Sequence, residues 1–96
     1  MRQSWIVRIR ERVKLREYDM TAPATEEMAE DNLNIVDVEH AVLTGRVVRI
    51  RRNDPRGAQY LIEGTAKDGL TLVGVVGRFP NPNRYLIVTV CRVAES

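Results

Sequence analysis

The residues best suited to chemistry in this chain are arginines and tyrosines at strand spacing. Arg49 and Arg51 fall on one face of a period-two segment, Arg46 and Arg52 fall on the other, and Arg56, Arg78, Arg84 and Arg92 follow in the same half. Guanidinium groups fork onto phosphate oxygens and keep their charge at any physiological pH. Tyr60 and Tyr85 are able to stack on bases or to donate a proton. The candidate contacts for RNA or phosphate are therefore Arg49, Arg51, Arg56, Tyr60, Arg78 and Tyr85. Cleavage of RNA without a metal asks for more: a base for the ribose 2′-hydroxyl, a proton for the leaving oxygen, and cations round the scissile phosphate. His40 is the one histidine, so it is the candidate imidazole acid or base; its sequence neighbour Glu39 does not face it on a helix.

Each of these groups also has a purely structural reading. Charged edge strands prevent sheet-to-sheet aggregation, and a lone helical histidine commonly packs or faces water. Cys91, on an apolar strand, reads as a small buried hydrophobe rather than a nucleophile. Having one cysteine excludes a disulfide framework, and neither a second cysteine nor a nearby histidine offers a metal-ligand spacing. Asp31, Asp37 and Glu39 form a carboxylate cluster in sequence, but solvated helix faces carry such groups routinely. No metal and no cofactor is expected.

The elements that must position these residues follow from charge and period. Residues 1–16 carry six basic side chains and one acidic, residues 17–44 carry eight acidic and no basic, and residues 45–96 carry nine basic and four acidic. A net charge of +2 thus conceals basic, acidic and basic blocks in turn, a pattern that bears on partners more than on fold. In the first block Trp5, Ile6, Ile9 and Val13 share a helical face, which predicts a basic amphipathic helix over residues 1–17. A strand reading competes, because Trp5, Val7 and Ile9 also alternate. Residues 18–21 read as an extended link, and residues 22–44 as an acidic helix pair. Pro23 suits the first turn of one, and Asn34 with Asp37 caps the other. Gly45 is expected to end that helix in a left-handed conformation.

Residues 45–93 switch to a period of two, broken by turn signals at residues 53–57, at Lys67-Asp68-Gly69 and at residues 80–83. The expected architecture is α+β, about three N-terminal helices packed on a four-stranded antiparallel meander, in one domain spanning residues 1–96. Gly74 and Gly77 weaken the third strand, so they mark a bulge or close packing, or else a bare floor for a ligand. The apolar runs of four or five residues are too short for a membrane span or an export signal, so no membrane contact and a cytoplasmic location are expected.

Two stretches carry a family resemblance: Glu26-Glu27-Met28-Ala29-Glu30-Asp31, and Asp37-Val38-Glu39-His40-Ala41-Val42-Leu43-Thr44-Gly45. Tyr60-Leu61-Ile62-Glu63-Gly64 and Leu86-Ile87-Val88-Thr89-Val90 continue it. In order and spacing they resemble the bacterial domain of unknown function 4258. The resemblance implies a toxin-like fold related to the small toxins of type II toxin–antitoxin pairs, and a partner that is an antitoxin-like protein of zinc-finger type. It also implies a histidine a few residues before Glu26, after a threonine. Thr21 is present, but Pro23 stands where that histidine is expected, so chemistry that depends on it is lost here.

Two functional readings result. One is a toxin-like protein that binds, and in its strongest form cleaves, RNA through the basic sheet. The other is a non-catalytic interaction module that docks a protein, with a second copy of itself as one candidate. Trp5 belongs either to a packed helix or to a mobile arm.

Overall fold

The computed structural model describes residues 4–93. Helix α1, Trp5–Lys14, starts at Ser4, whose side chain accepts a hydrogen bond from Val7 N, and buries Ile9 and Val13. Arg16, at φ 56, ends it, and residues 1–3 of the expected helix lie outside the described residues. Helix α2, Ala22–Glu30, is capped by Thr21, which accepts from Ala24 N at 3.2 Å. Helix α3, Ile35–Thr44, begins with the expected capping box: Asn34 Oδ1 accepts from Asp37 N at 3.0 Å, and Asp37 Oδ2 accepts from Asn34 N at 3.1 Å.

The segment expected as a link is a strand. Tyr18–Met20, β1, pairs in parallel with the last strand, Tyr18 opposite Tyr85 and Met20 opposite Ile87. The remaining strands are β2 Arg46–Arg51, β3 Gln59–Thr65, β4 Leu72–Asn81 and β5 Arg84–Arg92. The meander is present, but the sheet is five-stranded and mixed, in the order β1-β5-β4-β3-β2. The partner of β1 is more than sixty residues away, and no local turn announces such a pairing. β4 also runs further than expected, through Pro80 to Asn81, because a register shift between Arg78 and Asn81 lets a proline sit where no ladder donor is needed.

All three helices contribute to one cluster on one face of the sheet. Ile9, Val13, Ala24, Val38 and Val42 pack with Ile62, Val73, Val75, Ile87 and Val90, all buried. Close approach of α3 to the sheet explains two glycines. A β-carbon at Gly64 would stand 2.1 Å from Ala41 O, and one at Gly45 would stand 2.4 Å from Glu63 O. Gly45 is therefore not the left-handed cap expected of it: its φ of −87° and ψ of −167° are extended, and what its position requires is room.

The charge blocks also bind the fold internally. Arg10 of α1 donates from Nε to Val42 O at 3.3 Å and from Nη2 to Gly45 O, placing a cation at the negative end of α3. Beyond β1, the edge of β5 is covered by α2. Glu27 Oε1 accepts from Val90 N at 3.3 Å, and Asp31 Oδ2 accepts from Arg92 N at 2.9 Å. Among the described residues, no helix is long and apolar enough to cross a membrane.

Candidate nucleic-acid interface on the open sheet face

The face of the sheet turned away from the helices is where the arginines converge. Strict alternation would put Arg46 opposite in face to Arg49 and Arg51. A bulge at Val48 shifts the count by one residue, so Arg46, Arg49 and Arg51 stand opposite Glu63, Leu61 and Gln59 respectively. All three therefore share the open face, while Val47 and Ile50 turn toward the core. Arg78 lies across from Gln59 on the other side, which places that amide between Arg51 and Arg78. A shallow depression of about 190 Å³ is lined by Arg49, Arg51, Gln59, Leu61 and Val76. Among the described residues, none of Arg46, Arg49, Arg51 and Arg78 forms an ion pair. An apolar floor ringed by unpaired guanidinium groups suits a ligand with flat apolar parts and spaced anions.

The turn after β2 extends this surface, because a second depression shares Arg51 and Gln59 with the first and adds Arg52 and Arg56. Arg56 is less free than its neighbours. It forks onto Asp54, Nε to Oδ1 and Nη2 to Oδ2, each at 3.2 Å. That hydrogen bonding holds the Asp54 carboxyl below its usual range.

Neither tyrosine joins the arginines. Tyr60 is 3% exposed and Tyr85 0%, both on the helix-covered face, so the expectation that they present rings to bases is corrected. The period of two that puts Gln59, Leu61 and Leu86 outward puts these two rings inward. Burial pushes both phenols above their ordinary pKa of 10.0. Tyr85 Oη is buried without a hydrogen-bond partner among the described residues.

The accessible aromatic surface is instead made by Trp5 and Phe79, at the end of the sheet where α1 begins. Trp5 is 40% exposed, with its ring centroid 5.2 Å from that of Tyr60 and 6.2 Å from that of Phe79. The Arg8 guanidinium lies 4.9 Å from the centroid of Trp5 and 5.1 Å from that of Phe79. Helical spacing of Trp5 and Arg8 is legible in the sequence, but their meeting with Phe79 is not. Trp5 therefore belongs to a packed helix, although much of its ring remains outside.

His40 sits elsewhere, on α3. Its Nδ1 lies 2.7 Å from Thr65 O, and since a carbonyl only accepts, Nδ1 carries a proton. This contact ties α3 to the end of β3. The carboxylate cluster is likewise dispersed into separate structural contacts: Asp31 accepts from Arg92 N, Asp37 caps α3 and accepts from Lys67 N, and Glu39 accepts from Tyr18 Oη at 2.6 Å. Among the described residues, no group of three histidine, cysteine, aspartate or glutamate side chains is placed to hold a metal. Cys91 is exposed, contrary to expectation, and its Sγ leans over the bare backbone of Gly74. That partial burial pushes the thiol pKa up. Thr21 caps α2 and donates to Val88 O at 3.3 Å, and Pro23 is exposed in the first turn of the same helix.

Residues 20–92 match the family described as "Domain of unknown function (DUF4258)". In three dimensions the chain is similar to the crystal structure of the Brucella abortus ribonuclease toxin BrnT. The TM-score is 0.55 at 12% identity, over 81% of this chain and 96% of that one. At that identity the likeness is one of fold. Comparison with curated proteins returns no match.

Proposed function

This chain belongs to the DUF4258 family, and from that premise we propose that it is the toxin-like member of a toxin–antitoxin pair, binding RNA through the open face of its sheet. The observation that carries the reading is the bulge at Val48. It brings Arg46 onto the same face as Arg49 and Arg51, beside Arg78 and over Leu61 and Val76. A strand ladder spaces such cations at regular intervals, which suits successive phosphates along a nucleic-acid backbone. The fold shared with a ribonuclease toxin supports the class, and the partner proposed is a protein that covers the basic face. By family analogy we propose an antitoxin of zinc-finger type as that partner.

Binding is the function proposed, rather than cutting. The groups that would serve as acid and base lie off the arginine face: His40 is tied to Thr65 O on the helix side, and Tyr60 and Tyr85 turn to the helix-covered face. Expression of the chain without its partner should arrest growth, and Arg49→Ala with Arg51→Ala should restore it. Purified protein should retain labelled RNA at low salt and lose it in the double variant. Healthy growth, together with no RNA retained at low salt, would sink the proposal.

A second reading, self-association, draws on Glu26 and Glu30, which are exposed on α2 while the arginine face is open. Sedimentation that gives a monomer at both low and high salt would remove it.

A further inference from the structure

We infer that the groove between the start of α1 and the end of β4 seats an unpaired nucleobase, so that the RNA taken by this protein is single-stranded. The inference rests on the RNA-binding reading above and adds to it a site and a strandedness. The groove has a volume of about 430 Å³, with Trp5, Arg8, Tyr60, Phe79 and Pro82 among its lining residues. Trp5 and Arg8 come before residues 20–92, so this site is built partly by a helix outside the family match.

Three features select the ligand. The first is a flat apolar surface. Trp5 rests on Tyr60 at 5.2 Å between centroids and still keeps 40% of its area exposed. Base–aromatic stacking uses such a surface whatever the base. The second is charge: the Arg8 guanidinium lies over both Trp5 and Phe79, and among the described residues its side chain donates no hydrogen bond. A planar cation with its donors unspent, held against aromatic rings, accepts a base edge or a phosphate and opposes a purely apolar guest. Arg12, in the neighbouring depression, differs, because it donates to Glu17 Oε1 at 2.6 Å and to Glu11 Oε1 at 3.1 Å and serves as a brace.

The third feature is proximity round the end of the sheet. Gln59 and Arg51 on the open face adjoin Tyr60 and Ile50 on the helix-covered face, so the groove lies round the β2–β3 end of the sheet from the arginine face. Both Arg8 and Arg52 lie near enough to Tyr60 for their charges to oppose the rise of its pKa. A single strand crossing the open face at Arg49 and Arg51 reaches the groove by turning round this end of the sheet past Arg52. Only a base free of its own stack can enter a cleft walled by a helix and a turn, which excludes a duplex.

Trp5 is the only tryptophan, so its fluorescence reports this groove and nothing else. The full-length protein should be titrated with a single-stranded RNA of about 12 nucleotides, with a duplex of the same length, and with a mononucleotide. Binding is followed in parallel by anisotropy of a labelled RNA. The single strand should quench Trp5 saturably, over the same concentrations as the anisotropy rise, and protect it from acrylamide. The duplex should bind more weakly and leave Trp5 emission unchanged. Trp5→Leu should weaken single-strand binding about tenfold, the scale of one base–aromatic stack, with duplex binding unaltered. Acrylamide protection in the unmodified protein keeps the test valid even if that variant folds poorly. Anisotropy that rises without any change at Trp5, equal quenching by the duplex, or saturation by the mononucleotide as strongly as by the strand would each overturn the groove assignment while RNA binding stands. No binding by either readout would overturn both.

Discussion

The outer end of the Tyr85 ring lies directly above Gly77: a β-carbon at position 77 would stand 2.4 Å from Tyr85 Cζ and 2.5 Å from its Oη. The glycine is thus part of how β4 accommodates a buried aromatic side chain from β5, with Phe79 packed edge-on to the same ring at 5.0 Å. Gly77→Ala should cost about 2–3 kcal/mol in urea unfolding through overpacking. The cost should shrink in a Tyr85→Leu background, because the ring end it collides with is gone. Tyr85→Phe should be neutral or stabilise by about 1 kcal/mol, since it removes a desolvated hydroxyl that has no partner among the described residues.

Stability should fall on the alkaline side. Tyr18, Tyr60 and Tyr85 all hold their protons above the ordinary 10.0: burial is the first cause in each, and at Tyr18 the Glu39 carboxylate adds to it. Once the pH passes the ordinary value, the unfolded chain ionises while the folded chain stays neutral, so protons favour the native state. Their contribution is complete below pH 10 and is lost as pH rises above it. Urea midpoints compared at about pH 9 and about pH 11 should show the drop, and a smaller one in Tyr85→Phe. A midpoint unchanged across that interval would contradict the burial of these phenols.

The arginine face makes a prediction about salt. If Arg49 and Arg51 each contact one phosphate of a single strand, removing both should lower the slope of log K against log salt by about 1.4, twice the ~0.7 per contact. Arg92→Ala, on the last residue of β5, should leave the slope nearly unchanged. A slope equal in the double variant and the parent would show that these side chains do not touch the backbone.

His40 should matter to stability and not to RNA. Its Nδ1 donates to Thr65 O at 2.7 Å, so His40→Ala should cost about 1 kcal/mol by thermal or urea unfolding. RNA affinity should stay within about twofold of the parent, since no described contact links this ring to the arginines. Loss of an RNA-directed activity without loss of stability would instead make His40 catalytic.

Asp37 should be worth more than the cap it belongs to. Asn34→Ala removes one capping contact and should cost about 1 kcal/mol. Asp37→Ala removes acceptors for both Asn34 N and Lys67 N, which together fasten the start of α3 to the β3–β4 turn, and should cost about 2 kcal/mol. Equal costs by urea unfolding would show that the Lys67 contact contributes nothing.

Much of the fold is legible in the sequence because it rests on short-range rules. The helical face through Ile9 and Val13, the Asn34–Asp37 capping box and the basic edge strand follow from spacing and local hydrogen bonding. The arginine-rich half is equally plain as composition. Which side chains share a surface is another matter. One unpaired residue at Val48 reverses the facing of Arg49 and Arg51 relative to Arg46, and no pattern within β2 marks where that residue falls. The parallel pairing of Tyr18 with Tyr85 and the convergence of Trp5, Arg8 and Phe79 each join parts of the chain more than sixty residues apart, and the withdrawal of Tyr60 and Tyr85 into the core likewise depends on packing between elements. Periodicity determines which residues turn together along one element; only packing between elements, where apolar area and backbone hydrogen bonds are satisfied jointly, decides what those residues meet.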